Sequence, residues 1–424
     1  MHDRRIIREQ ADLLREALRR RGALDALAPL VDRAESLDRE RRLLIQAVEE
    51  RKAARNVNSQ EVARRKRAGE AADDLVAGGR ALGDEIARLE GELAGVDGAL
   101  DDILLGLPNV TLPAVPEGGE ERNVVVRSWG EPRPSDGVRP HWEVGARLGL
   151  FDGERAAKLS GSGFMVYRGA GARLVRALVN FFLDLHAGEH GYQETWVPAL
   201  VNRATMTGTG QLPKFEDDAY AIAGDDLFLI PTAEVPVTNL YRDEILDGEQ
   251  LPLGFTAYTP CFRREAGSAG KDTRGLLRTH QFDKVELVRY ATPESSGDEL
   301  ERLTGHAEAA LQRLGLPYRV KLLAAGDTGF SSAKTYDLEC WAPGVGGWLE
   351  VSSCSSFTDF QARRANIRYR PAKGEKPRYV HTLNGSGLAV PRTLACLLEH
   401  YQDADGGVRV PEALRPYLGV DRLG

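Results

Sequence analysis

The chain has 424 residues, 42% of them apolar and 28% charged, which allows two or three packed domains and excludes wholesale disorder. No apolar run approaches bilayer length, since Leu178–Leu183 is short and holds Asn180, and the amino terminus carries charges without an apolar h-region; both facts argue against a membrane span and against secretion. Cys261, Cys340, Cys354 and Cys396 lie 79, 14 and 42 residues apart with no CxxC pair, so neither a zinc knuckle nor a disulfide framework is expected, and a reducing cytoplasm fits.

A net charge of −7 would normally count against a nucleic-acid partner, but its distribution is uneven. From Arg51 to Arg67 there are seven basic residues and one acidic, a net +6, so the rest of the chain sums to −13. That island, which contains Arg51, Lys52, Arg55, Arg64, Arg65, Lys66 and Arg67, is either a contact for an anionic partner or a solvated helix face.

In chain order, the first hundred residues are rich in Arg, Glu, Ala and Leu. Leu82, Ile86, Leu89, Leu93, Val96, Leu100, Ile103 and Leu107 recur at spacings of 4 and 3, a heptad seam that Leu75 extends. Leu37, Leu44, Val48 and Val62 mark a sparser seam upstream, and Asn56–Ser59 between the two reads as a turn. Two long helices folded back on each other are expected, with the basic island around their distal turn; a coiled coil used for dimerisation is the competing reading.

The proline- and glycine-rich stretch Gly106–Gly119 reads as a linker, so residues 1–108 and 109–424 are expected to be separate domains. Beyond it, strand-like runs at Leu227–Ile230, Lys284–Tyr290, Tyr318–Leu323 and Trp348–Ser352 mix with helical runs at Ala172–His186, Ser296–Leu314 and Arg392–Gln402. Many strands lack an intervening helix, which predicts an α+β domain, an antiparallel sheet flanked by helices, rather than βαβ units.

Familiar nucleotide loops do not fit: Gly267–Asp272 lacks P-loop spacing, and neither Gly161–Gly163 nor Gly169–Gly171 completes GxGxxG. His186 and His190 lack the HExxH pattern, and Gly188 between them suits a helix end. The segment Thr259–Tyr290 is more informative. It reads as strand, glycine-rich loop with Lys271 and Arg274, and returning strand. Arg263 and Glu265 are two apart, and Arg278, Phe282 and Glu286 are spaced by four, so each set is expected on one strand face. An arginine for phosphate and an aromatic face for a base suit an adenine nucleotide, and the carboxylate of Glu286 can hold an ammonium group.

These residues resemble motif 2 of the class II aminoacyl-tRNA synthetases. Leu383–Arg392 resembles motif 3, a glycine-rich strand running into an arginine that opens a helix, and Gly191–Pro198 resembles the degenerate motif 1. Gly208–Phe215, Pro231–Pro236, Leu349–Ser356 and Asp359–Arg364 are similar to stretches of the seryl-tRNA synthetases, as is the amino-terminal helical arm, and the resemblance spans essentially the whole chain.

The resemblance implies activation of L-serine with ATP and transfer of the seryl group to serine tRNA, with selenocysteine tRNA as a second acceptor, by a homodimer formed through motif 1. It implies Arg263, Glu286 and Arg392 as catalytic residues. Arg263 would bind the α-phosphate and the serine carboxylate, and Arg392 the γ-phosphate and adenine. Phe282 would stack on the base and Glu265 contact its amino group, with Arg264, Thr279, Val351 and Ser352 completing the ATP site. Glu350 and Ser353 would hold Mg²⁺; no Cys/His cluster suggests zinc. Glu286 would bind the serine hydroxyl, with Thr232, Ala233, Glu234 and Ser386 around it. The basic island would bind tRNA. Two other readings are an aminoacyl carrier-protein ligase with the same core, against which the arm counts, and a catalytically silent tRNA-binding paralogue, against which Arg263, Glu286 and Arg392 count.

Overall fold

Apolar residues at heptad spacing can be buried only by a second helix, and the amino-terminal region folds accordingly. After two short helices, α1 (Arg4–Glu9) and α2 (Ala11–Arg20), come α3 (Leu24–Arg67) and α4 (Asp73–Gly106), which pair with each other. Ile86, Leu89, Val96 and Leu100 of the predicted seam are buried, together with Leu104, which lies off the heptad positions. Ion pairs flank the seam: Arg41–Asp97 at 2.6 Å, Arg51–Glu85 at 3.0 Å and Lys52–Glu90 at 2.9 Å.

The expected turn at Asn56–Ser59 does not form; α3 runs through it for 44 residues, about 66 Å at helical rise. The polar side chains there find partners that a helix permits. Ser59 Oγ donates to Arg55 O at 2.8 Å, and Asn58 Nδ2 donates across the hairpin to Leu75 O at 2.8 Å. The helix ends at Gly69, whose φ of +74° is the left-handed position that favours glycine. Glu70 N donates to Arg65 O and Gly69 N to Lys66 O, the two bonds of a Schellman termination. The basic island therefore lies on the last turns of α3, ahead of the reversal.

In the computed structural model, residues 1–266 and 274–424 are described, and they divide into two units, Met1–Pro108 and Asn109–Gly424. Lys271, expected in a loop, lies outside the described residues. No described helix is long and apolar enough to cross a membrane.

The second unit is built on an eight-stranded sheet. Its strands are β1 (Val124–Trp129), β2 (Gln193–Glu194), β3 (Leu253–Phe262), β4 (Gln281–Ala291), β5 (Tyr318–Leu322), β6 (Lys334–Ala342), β7 (Gly347–Thr358) and β8 (His381–Ala389). The order is β1-β5-β6-β7-β8-β4-β3-β2, antiparallel except for β2 beside β3. The helices are α5 (His141–Arg147), α6 (Ala170–Gly188), α7 (Ser296–Arg313), α8 (Phe360–Ala365) and α9 (Val390–His400). Leu174, Leu178 and Phe182 of α6, Leu300 and Leu303 of α7, and Leu394 and Leu397 of α9 share one core with Val285 and Leu287 of β4 and Leu383 of β8. Three helices thus cover one face of the sheet. Alternation along β4 turns Phe282, Lys284 and Glu286 to the other face, where the cleft lies.

Candidate active site

Two adjoining cavities of about 210 and 530 Å³ open on that face and share Arg263, Glu265, Lys284, Glu350 and Ser386 as walls. The first also contains Thr279, Phe282, Val351 and Arg392, and the second contains Thr232, Glu234 and Ser353. Four of the predicted residues stand back from both. Ala233 is buried in the turn before a short helix at Glu234–Thr238, Ser352 donates through Oγ to Ser386 O at 2.7 Å, Glu286 sits beneath Lys284, and Arg264 is exposed.

The expected strand faces need correction. β3 ends at Phe262, so Arg263 and Glu265 lie beyond it, and Glu265 has φ +53°. Arg278 precedes β4 and reaches the same place by an ion pair, its Nη1 lying 2.6 Å from Glu265 Oε2. The chain bends as it leaves the sheet, and the side chains converge through that bend rather than through strand periodicity. Arg263 donates through Nε to Pro231 O at 3.3 Å, and its guanidinium carbon lies 5.2 Å from the centre of the Phe282 ring. Arg392, in the first turn of α9, donates to Leu277 O at 3.2 Å and to Glu350 O at 2.8 Å.

Behind the wall of the second cavity, Glu286 is almost completely buried and bonded on both oxygens. Its Oε2 lies 2.6 Å from Lys284 Nζ and accepts from Thr232 Oγ1 at 3.1 Å, while Oε1 accepts from Asn384 Nδ2 at 3.1 Å. Ser386 stands opposite it across the β4–β8 pairing. Glu234 is different. Its Oε1 accepts from Gln361 Nε2 at 2.7 Å, and Gln361 Oε1 in turn accepts from Thr382 Oγ1 at 2.7 Å. Burial, reinforced by the Glu286 charge, pushes the Glu234 carboxyl up to about 7. Lys284, Asn384 and Gln361 were not singled out from the sequence as site residues, although Asn384 falls within Leu383–Arg392 and Gln361 within Asp359–Arg364. Lys284 carried a signal of its own, since Phe282, Lys284 and Glu286 alternate on one strand face.

Glu350 and Ser353 are three apart, which on a regular strand puts them on opposite faces. The β6–β7 pairing slips between Leu338 and Glu339, leaving Val351 without a partner, and this bulge brings both side chains to the same cavity. Asp337 stands opposite Ser353 in the register, with Oδ1 buried and without a hydrogen-bond partner among the described residues. Burial and the neighbouring Glu350 raise its carboxyl well above the usual range. A carboxylate and a hydroxyl facing a cavity, backed by a third oxygen group, form a hard-oxygen set that suits Mg²⁺ shared with phosphates and water. Among the described residues no cluster of three His, Cys, Asp or Glu could hold a metal ion unaided.

In the first unit, the basic side chains divide into two groups. Arg51 and Lys52 pair with Glu85 and Glu90; Arg64 pairs with Glu61 at 2.7 Å, and Arg65 pairs with Asp74 at 3.2 Å. Arg55, Lys66 and Arg67 are exposed and form no ion pair among the described residues.

Residues 1–111 match the family described as seryl-tRNA synthetase N-terminal domain, and residues 214–401 match the tRNA synthetase class II core domain (G, H, P, S and T). A serine–tRNA ligase of Gemmatimonas aurantiaca is 66% identical over 420 residues, 99% of each chain. One from Geobacillus kaustophilus is 58% identical over 421 residues, again 99% of each. Among solved structures, the seryl-tRNA synthetase of Pyrococcus horikoshii complexed with ATP is 40% identical with a TM-score of 0.94, covering 100% of this chain and 99% of the other. The cytoplasmic serine–tRNA ligase of Naegleria fowleri in complex with AMP is 29% identical with a TM-score of 0.89, covering 100% and 98%.

Proposed function

The chain belongs to the seryl-tRNA synthetase family, and from that premise we propose that its larger unit activates L-serine with ATP and transfers the seryl group to the 3′ end of serine tRNA. The observation that carries this reading is the meeting of the two cavities at Arg263. One is walled by Phe282 and Arg392, an aromatic face and a cation suited to a nucleotide; the other is lined by Thr232 and Glu234.

In this reading ATP occupies the first cavity, with adenine between Phe282 and Arg392 and its amino group near Glu265. Serine occupies the second. Glu286 already faces a cation in Lys284, so Glu234 is the carboxylate left to hold the serine ammonium group, while Thr232, Ser386 and Glu286 provide the polar surroundings of the hydroxyl. Buried groups arranged to hydrogen-bond a hydroxyl reject alanine strongly, because they would be left unpaired.

Arg263 reaches both ligands. It orients the serine carboxylate for in-line attack on the α-phosphate and faces the negative charge that grows there. A carboxylate oxygen forms the new bond to phosphorus and pyrophosphate leaves. No general base is required, because the serine carboxylate is ionised at neutral pH. Glu350 and Ser353 are the residues that would hold Mg²⁺, which when bound offsets phosphate charge. In the second step a hydroxyl of the terminal ribose attacks the seryl carbonyl and AMP leaves.

The smaller unit is proposed to grip tRNA, serine tRNA first and selenocysteine tRNA as a second acceptor, by backbone contacts from the end of α3. Motif 1 would join two subunits; its Trp196 is 79% exposed beside an apolar hollow that includes Tyr258 and Pro260. The four cysteines are free and buried, which suits a reducing cytoplasm. Arg263, Glu286 and Arg392 all being present disfavours a silent paralogue, and the match across residues 1–111 disfavours a carrier-protein ligase. Charging of serine tRNA with labelled serine tests the reading: ATP-dependent charging is expected, and its absence with an intact fold would refute it.

A further inference from the structure

One buried group outside the cleft has no role in the scheme above. His141 opens α5 and Glu399 lies in the last turn of α9; both side chains are fully buried. Glu399 Oε1 accepts from His141 N at 2.9 Å and lies 2.8 Å from His141 Nδ1, while Oε2 accepts from Gly344 N at 2.8 Å and Val345 N at 3.1 Å. A carboxylate held on both oxygens in this way keeps the imidazole proton on Nδ1, so Nε2 must accept. It does: Leu276 N donates to Nε2 at 3.1 Å.

The main chain reaches the imidazole only because residue 275 is glycine. Gly275 has φ +63°, and a Cβ there would lie 2.4 Å from His141 Nε2. The next two residues, Leu276 and Leu277, wall the cavity that contains Phe282 and Arg392. The Leu277 carbonyl accepts from Arg392 Nε at 3.2 Å. A continuous chain of contacts thus runs from Glu399 through His141 and the Leu276–Leu277 backbone to the Arg392 guanidinium.

We propose that His141, braced by Glu399, is a positioning residue for the nucleotide: by holding the Leu276 peptide it fixes the carbonyl that aims Arg392 at the ATP phosphates. The proposal rests on reading that cavity as the ATP site. None of these contacts reaches Thr232 or Glu234, so the effect falls on ATP and spares serine.

Two near-isosteric substitutions in the full-length protein separate the two hydrogen bonds. His141→Asn keeps a polar group where Nδ1 stands and loses the Nε2 acceptor; His141→Gln does the reverse. In ATP–pyrophosphate exchange the Asn variant should raise the KM for ATP about tenfold while the KM for serine stays within about twofold, and the Gln variant should keep the KM for ATP within about threefold of the parent. A structural role alone would move both constants alike in both variants, and that result, or an unchanged KM for ATP in the Asn variant, overturns the proposal. Should the Asn variant not fold, ¹⁵N-histidine NMR of the parent protein decides: a proton on Nδ1 of His141 supports the proposal, and one on Nε2 overturns it. A parent protein without exchange would instead refute the ATP site itself.

Discussion

Lys284 Nζ lies 2.6 Å from Glu286 Oε2, with side chains 8% and 1% exposed. The residues are two apart on β4 and so share the cleft face. Breaking a buried pair by removing one partner strands the other, at a cost of about 3–5 kcal/mol. Lys284→Met should therefore lower stability by that order in urea unfolding and abolish serine binding. Glu286→Ala should weaken serine far more than ATP in isothermal titration; equal losses for the two ligands would make Glu286 a structural residue only.

Arg263 is held by a single long hydrogen bond to Pro231 O and by the face of the Phe282 ring, and it walls both cavities. Arg263→Ala should leave the thermal midpoint near that of the parent. Removing a preorganised charge-assisted hydrogen bond costs about 3–4 kcal/mol in the transition state, so exchange should fall by at least two orders of magnitude. Near-parental exchange in this variant would remove Arg263 from the chemistry.

Glu234 gives the site a pH dependence. Its folded pKa of about 7 lies above the ordinary carboxyl value of 4.5. Between those values the native state binds more protons than the unfolded state, so stability contributed by this group is present at low pH and declines as pH rises toward 7. Ligand binding runs the other way, because the serine ammonium group needs the carboxylate: serine affinity should fall as pH drops through about 7, while ATP affinity changes less. Glu234→Gln should flatten the stability slope over that window in pH-dependent unfolding and abolish the pH dependence of serine affinity along with most of the affinity. A slope unchanged in the variant would place the titration elsewhere.

The division of the basic island makes a graded prediction. Arg55, Lys66 and Arg67 have no carboxylate partner among the described residues, whereas Arg64 and Arg65 must give one up to reach phosphate. Neutralising the first three should reduce the slope of log affinity for tRNA against log salt by about 0.7–0.9 for each phosphate no longer neutralised, with Arg64 and Arg65 contributing less. Replacing Ala47–Leu89 by a short turn should preserve serine-dependent exchange and cut charging steeply. Full charging by that protein would show the arm has no part in tRNA binding.

The seam of α4, strands β4, β5 and β7 and helices α6, α7 and α9 were legible because each carries a period that burial enforces, heptad along the arm and alternation along β4, where Val285 and Leu287 face the core and Lys284 and Glu286 the cleft. Within the site, the places that went unread are those where the chain departs from a period. The bulge at Val351 turns Glu350 and Ser353 to one cavity, and Glu265 takes a left-handed conformation where a strand was expected. Asn56–Ser59 misled in the opposite sense, because turn-forming side chains can also bond within and between helices. Gln361, Asn384 and the His141–Glu399 pair act through contacts between residues up to 258 positions apart in the chain, and local sequence does not show which partners meet.

The central claim is that one cleft joins ATP to serine. Pyrophosphate exchange into ATP, measured with each amino acid in turn and without tRNA, tests it most directly. Serine alone should drive rapid exchange, with threonine and alanine far behind and no exchange when amino acid is omitted. Exchange driven best by another amino acid, or by none, would contradict the account.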